Sequence, residues 1–260
     1  MTVRIALLGL GEAGREIGRD LVAAGADVRG FDPRADPPAG VLPRCDDADA
    51  VRDADLVLSV NSAHDALPAL ESSLPALARG AIWADLNTAA PALKAELARR
   101  LAGRDVAVAD VALMAPVPGR GLRTPMLVSG EAAVRYAGIL AGYGAEVTVL
   151  PGPAGAAISR KLLRSVFYKG LAAAVVEALA AADAAGCAQW LRDDIAAELA
   201  GFDERTIDRL VDGTRRHARR RADEMTAAGE QLVALGVPPR VAAAARDLLI
   251  ELRDQGTPQP

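Results

Sequence analysis

Cysteine is almost missing from this chain of 260 residues. Cys45 and Cys187 stand far apart and outside any partner motif, so neither a disulfide framework nor a metal cluster is expected. Histidine is equally scarce, with only His64 and His217. A zinc site built from His and Cys is therefore excluded, and no metal is expected. Aromatic residues are 3% of the chain and the net charge is −4. A chain so poor in stacking surface and so acidic is not expected to bind nucleic acid. No long apolar run stands out. The opening "MTVRIALLGLGEAG" has about six apolar residues before its glycines, too few for a signal peptide. No window is read as reaching the ~20 apolar residues of a membrane span, and the cytoplasm is the expected location. Lysine is the last scarcity. Of thirty basic residues only Lys94, Lys161 and Lys169 are lysine.

What is present is alanine-rich apolar sequence, 51% hydrophobic against 25% charged, as in a globular protein with a sizeable core. In the first half, short apolar runs alternate with amphipathic segments. Strands are expected at 3–9, 27–32, 55–60, 81–86, 105–111, 124–130 and 146–150. Helices are expected near 12–25, 64–79, 90–102 and 131–143. This alternation means βαβ units and a largely parallel sheet. "LPGPAGA" at 150–156 punctuates the chain. Beyond it every segment reads as helix, over 154–185, 188–200, 203–235 and 239–254. The expected fold class is α/β: a doubly wound Rossmann domain, 1–151, followed by an all-helical domain, 152–260. A helix of about 33 residues is about 50 Å long. That exceeds the span of so small a helical domain, so an intertwined homodimer is expected.

"GLGEAG" follows a strand and opens a helix. Gly9 allows a tight turn, Gly11 lets backbone approach a pyrophosphate, and Gly14 lets helix pack on strand. Leu10, Glu12 and Ala13 complete the loop, whose helix N-terminus attracts phosphate. Asp32 ends the second strand, where a carboxylate accepts a ribose diol and repels a 2′-phosphate. NAD is the expected cofactor, with NADP allowed because Arg34 is close. Asn61 ends another strand on the ligand-binding edge and is a further cofactor candidate. His64 reads as the polar start of a helix. The run "RRHARRR" at 215–221 reads as a solvated face or partner contact, or turns His217 or Arg221 toward the cleft.

In order and spacing, "ADLNT" (84–88), "DVALMAPVPG" (110–119) and the helix around Lys161 resemble the β-hydroxyacid dehydrogenase superfamily, which includes 6-phosphogluconate and 3-hydroxyisobutyrate dehydrogenases. The branch resembled has a phosphogluconate-dehydrogenase-like C-terminal domain. The resemblance implies that Thr88, with Asn87, lies beside the nicotinamide ribose; Thr88 equally reads as a helix N-cap. It places the substrate at Met114, Ala115 and Pro116. There Met114 replaces the family's serine and both glycines are gone, and a thioether donates no hydrogen bond. Either the substrate is less polar at that end, or Arg120 and Arg123 take its anion, or these arginines are ordinary loop residues.

The same resemblance matches Lys161 to the family's catalytic lysine and puts Ser165 where the family has asparagine. At 100° per residue, Lys161, Ser165 and Tyr168 share one face of the helix within about 60°. Arginine does not release its proton in a protein, whereas lysine does. Lys161 is thus expected as general acid/base, Tyr168 as a substrate-orienting group, and Lys169 as an anion contact or a solvated chain. The activity implied is an NAD(P)-dependent interconversion of the alcohol and carbonyl of a small, anionic hydroxy acid. Two other readings stay open: an imine reductase of the same architecture, against which Lys161 argues, and a non-catalytic NAD-binding protein.

Overall fold

The computed structural model describes residues 3–255. The first strand, β1 (Arg4–Leu8), shows why the sheet is buried on both sides. Its side chains alternate between faces, and both faces are apolar. Ile5 and Leu7 pack with Ile17, Leu21 and Val28, while Ala6 and Leu8 pack with Val57, Trp83 and Leu97. Such a strand belongs inside a parallel sheet covered by helices.

The strands that follow are β2 (Asp27–Phe31), β3 (Leu42–Pro43), β4 (Leu56–Ser59), β5 (Ile82–Asp85), β6 (Ala107–Leu113), β7 (Met126–Ser129) and β8 (Val147–Val149). They form one sheet in the order β3-β2-β1-β4-β5-β6-β7-β8. Every pairing is parallel except β6 with β7. The order reverses between β1 and β4, which opens a crevice beyond their carboxyl ends. The helices of this part are α1 (Glu12–Ala23), α2 (Asp47–Val51), α3 (Ala66–Ser73), α4 (Pro91–Leu101) and α5 (Ala133–Ala141). A strand, β3, a helix, α2, and a 3-10 turn, Gly121–Arg123, have no counterpart among the sequence expectations. β3 is a two-residue edge strand containing Pro43, a length that periodicity does not register. α2 is a single short turn started by the Asp46 carboxylate, which accepts from the Asp49 N–H at 2.7 Å.

Beyond β8 the described residues are helical, in α6 (Ala156–Ala184), α7 (Ala188–Ala200), α8 (Thr206–Arg216), α9 (Ala218–Ala234) and α10 (Arg240–Gln255). By packing, the chain divides inside α6 into two compact units, residues through Arg164 and residues from Ser165. In the second unit, the Glu177 carboxylate accepts the Val241 and Ala242 N–H groups, each at 2.8 Å. It thereby caps α10 from another helix, satisfying first-turn donors that the helix itself leaves open.

Two expectations need correction. The single helix over 203–235 is two helices, broken at His217, whose backbone (φ −115, ψ 22) is not helical. Arg221 Nη1 spans the break to Thr214 Oγ1 at 2.6 Å. With the break, the length argument for an intertwined dimer is lost, since the 17 residues of α9 reach only about 26 Å. The second correction concerns α6. By length and composition it is apolar enough to cross a membrane, although the sequence reading found no such window. Its alanines raise hydropathy without adding bulk. A single helix of this kind is weak evidence, because core helices of soluble proteins pass the same test.

Candidate active site at the carboxyl edge of the sheet

The glycine loop closes the crevice between β1 and β4. Gly9 has φ +95, and a Cβ there would lie 2.4 Å from the Val60 carbonyl oxygen. A Cβ on Gly14 would lie 2.0 Å from the Gly9 carbonyl oxygen. Gly11 is different, since among the described residues, its chain neighbours aside, nothing lies within 4 Å of where its Cβ would be. The first and third glycines are therefore needed by the protein's own packing. The second faces open space at the start of α1. Gly11 is the N-cap of α1 and provides no side-chain cap. The first-turn N–H groups of Glu12, Ala13 and Gly14 have no intrahelical acceptor, as at any helix start, and suit a phosphate.

Asp32 follows β2 at the same edge. Its Oδ2 accepts the Leu10 N–H and its Oδ1 the Arg34 N–H, both at 2.8 Å. A carboxylate has about four acceptor sites, so two remain for a ribose diol. A hollow of about 400 Å³ lies here, lined by Gly11, Asp32, Arg34, Asp47, Asn61 and Asp65 among others. The Arg34 guanidinium pairs with Asp65 at 3.3 Å. Burial, aided by the charges of Asp46 and Asp32, pushes the Asp47 carboxyl up to about 6. These residues fit the pyrophosphate and adenosine ribose of a nicotinamide dinucleotide.

Beside the crevice runs a connected set of buried polar groups. Ser59, Asp85, Asn87, Lys94 and Asp110 are all buried. Asn61 Nδ2 donates to Ser59 Oγ at 3.3 Å, and Asn87 Nδ2 donates to the same oxygen at 3.1 Å. Asn87 Nδ2 also donates to the Asp85 carboxylate, while Asn87 Oδ1 is buried without a partner. Lys94 Nζ donates to the Asp85 carbonyl oxygen at 2.8 Å. It lies 2.6 Å from Asp85 Oδ2 and 3.3 Å from Asp110 Oδ1, close ion pairs without aligned hydrogen bonds. Burial raises the Asp85 carboxyl above its ordinary range, against the opposing pull of Lys94. Asp110 Oδ2 accepts from Gly155 N–H at 2.9 Å, Ile158 N–H at 3.1 Å and Ser129 Oγ at 3.2 Å. Ala157 N–H donates to Ser129 Oγ at 2.9 Å. Side chains of β6 and β7 therefore cap the first turn of α6.

Lys161 lies one turn further along α6, and its Nζ donates to Thr88 Oγ1 at 2.8 Å. Thr88 is not a helix cap: α4 starts from Ala90, and no side chain caps it. The Met114 backbone is fixed from both sides. Its N–H donates to the Pro125 carbonyl, and its own carbonyl accepts Arg164 Nη1, each at 2.8 Å. Met114 and Ala115 are half-buried, and Pro116 is exposed.

Arg120 and Arg123, for which a role with the substrate anion and an ordinary loop position were both open, are not brought to this cluster. Their loop is pinned to α1, where Gly119 N–H donates to Glu16 Oε2 at 2.9 Å and Leu122 N–H to Asp20 Oδ2 at 2.8 Å. Both arginines line a shallow depression there with Glu16, Arg19 and Asp20. The carboxylates of α1 are the physical reason. Ser165, Tyr168 and His217 belong to the second unit. Ser165 is half-buried, and the exposed Tyr168 ring meets Phe167 edge-on at 5.2 Å. His217 is exposed at the break between α8 and α9. Sequence reasoning missed Lys94, Asp110 and the contact of Arg164 with Met114. For Lys94 one signal existed, a charged residue on the apolar face of α4 with Leu97 and Leu101.

A doubly wound sheet, a glycine loop at its switch point and a trailing helical region define a dinucleotide-binding protein of the hydroxyacid dehydrogenase-like fold. Residues 4–150 match the NAD binding domain of 6-phosphogluconate dehydrogenase, and the chain belongs to that family of NAD(P)-dependent oxidoreductases. Residues 182–252 match a domain of unknown function, DUF1932. No curated protein matches the chain. Among solved structures, a conserved hypothetical protein from Sinorhizobium meliloti 1021 is 31% identical, over 99% of this chain and 92% of that one, with a TM-score of 0.63. The conserved protein MTH1747, described as structurally similar to 3-hydroxyacid dehydrogenases, is 25% identical, over 98% and 100%, at a TM-score of 0.63. A reductive aminase from Aspergillus terreus, solved with NADPH and ethyl levulinate, shares the fold at 18% identity and a TM-score of 0.79, over 98% and 95%. The chain binds NAD or NADP.

Proposed function

We propose that the protein interconverts the alcohol and carbonyl of a small, anionic hydroxy acid, with Lys161 as general acid/base and NAD as the preferred cofactor. The observation that carries this reading is the 2.8 Å bond from Lys161 Nζ to Thr88 Oγ1. It holds a proton-releasing group at the edge of the sheet where ligands bind. The nicotinamide, when bound, supplies hydride chemistry. Gly11 and the start of α1 bind the pyrophosphate, Asp32 the ribose diol, and Asn61, Asn87 and Thr88 the nicotinamide side. Lys161 takes the hydroxyl proton in oxidation and returns it in reduction. The substrate's carboxylate lies by Met114, Ala115 and Pro116, where Arg164 is already held. Ser165 and Tyr168 continue the polar face of α6, and His217 belongs to the helical domain, 152–260, which serves substrate binding and dimerisation. The domain 1–151 serves the cofactor.

A homodimer is part of the reading. α6 exposes Leu163 (61%), Val166 (76%) and Val176 (69%) in a single chain, and a second copy is what would cover them. Free thiols at Cys45 and Cys187 suit a reducing cytoplasm. The test is NADH formation on a panel of hydroxy acids, followed by NADPH consumption on a panel of imines. Lys161→Met and Lys161→Arg should each lose at least ~10²-fold in turnover, the low end for general acid–base catalysis, with NADH binding retained. Full activity in Lys161→Arg would end the proton-shuttle role.

A further inference from the structure

We propose that Lys94 is a positioning residue for Lys161: its buried ammonium ties the strand end that leads to Thr88 to the strand end that grips the first turn of α6. The inference rests on the reading of Lys161 as the proton-transfer group. It starts from a cost. Lys94 is 1% exposed and sits on α4 where its neighbours one and two turns on, Leu97 and Leu101, are buried. Taking an ammonium out of water costs several kcal/mol, and an apolar side chain would satisfy this helix face without that cost. What Lys94 meets there is a pair of carboxylates. Asp85 and Asp110 are register partners on adjacent strands, both buried. Two such anions side by side repel, and the ammonium between them converts the repulsion into a link.

Each carboxylate begins an arm. From Asp85 the chain runs three residues to Thr88, steadied by the bonds of Asn87 to Asp85 and Ser59. From Asp110 the arm crosses to Gly155, just before α6, and to Ile158 in its first turn. Lys161 follows Ile158 by three residues, about 4.5 Å along the helix. The arms meet again where Lys161 donates to Thr88. The loop so formed is closed at one end by Lys94 and at the other by Lys161. Freeing the Lys94 end lets the two arms slide, and a misplacement of ~1 Å at a reacting group costs on the order of 10²-fold in rate. A lysine suits the place because it is a point charge with three donors, whereas the arginine fork needs planar, two-pronged partners.

The scarcity of lysine makes the test direct. Protein labelled with ¹³C only in lysine gives three ε-methylene signals, and relaxation measurements report their order. Two variants are needed, because Lys94→Met alone leaves two buried carboxylates and has the poorer prospect of folding. Lys94→Met/Asp85→Asn removes one charge of each sign. In the variant that melts cooperatively, the Lys161 order parameter should fall clearly below that of the parent protein. Lys169 itself should not change. Thr88→Val, with Lys94 intact, should loosen Lys161 equally and so locate the effect at that bond. An unchanged Lys161 signal in a folded Lys94 variant overturns the proposal, and so does failure of both variants to fold, which assigns Lys94 to stability alone. The shuttle reading is judged separately: undiminished turnover in Lys161→Met ends it whatever the order parameters show.

Discussion

Two alanine substitutions in one loop should separate folding from cofactor binding. Gly14→Ala puts a methyl group 2.0 Å from the Gly9 carbonyl oxygen and 3.0 Å from its carbon. Both are backbone atoms, so α1 must move away from β1. Overpacking of this kind costs ~1–3 kcal/mol or more, set against a gain of about 1 kcal/mol for alanine over glycine inside a helix. Contact with backbone atoms puts the cost at the upper end of that range, so the net is a loss of about 2 kcal/mol, which lowers the melting temperature by ~4–8 °C for a unit of this size. Its chain neighbours aside, Gly11→Ala meets none of the described residues within 4 Å, and its backbone (φ −65, ψ −164) is open to alanine. Reduced freedom of the unfolded chain stabilises by ~0.4–1 kcal/mol, and the poorer N-cap takes back a similar amount. Stability should therefore stay within ~1 kcal/mol of the parent. The open space beside Gly11 is, however, where backbone approaches the pyrophosphate. NADH affinity should fall at least ~10-fold, about 1.4 kcal/mol. Thermal melting without cofactor and NADH titration read the two effects apart. A Gly11→Ala protein that melts early, or that binds NADH as tightly as the parent, refutes the assignment of these glycines.

Asp32→Ala should narrow the preference for NAD over NADP in direct titrations; equal binding of both by the parent protein counts against Asp32 as the selector. Asp47→Asn should act through pH. A carboxyl raised from 3.8 to about 6 binds its proton more tightly folded than unfolded, so its penalty is absent below pH ~3.8 and complete above pH ~6. After discounting for half-exposure and screening, ~1 kcal/mol remains. The melting temperatures of variant and parent should coincide near pH 3.5 and diverge in the variant's favour by pH ~7; parallel curves would refute this. Light scattering should find a dimer that Val166→Glu, on the exposed face of α6, dissociates. A monomeric parent at micromolar concentration would remove the reason for that face.

The α/β part was legible because its signals are local. Strand runs, the glycine loop and Asp32 each declare themselves within about 35 residues, and the parallel order follows from the alternation itself. The helical part was legible in type but not in detail. Residues 203–235 keep a helical pattern through His217; Gly213 lies one turn before the break and no proline marks it. A break made by the backbone of one ordinary residue, spanned by an Arg221–Thr214 bond, leaves no mark that periodicity detects. Arg120 and Arg123 stayed undecided in the sequence for a related reason. Proximity in sequence to the substrate loop suggested a role, while Glu16 and Asp20, over a hundred residues away in the chain, decide where that loop lies.

Lys94 shows the limit most clearly. In "PALKAEL" the lysine lies on the apolar face of a helix, but lysine is almost never fully buried unless paired, and the helix alone shows no partner. Its partners are Asp85, nine residues earlier, and Asp110, sixteen later, and only the β5–β6 register brings them together. The motifs around those two aspartates drew attention for their other residues, Thr88 and Met114. Yet a buried charge obliges its neighbourhood to supply countercharge and donors. Lys94 is thereby linked through Asp85 to Asn87 and Ser59 and through Asp110 to the first turn of α6, a buried charge cluster behind the Lys161–Thr88 bond.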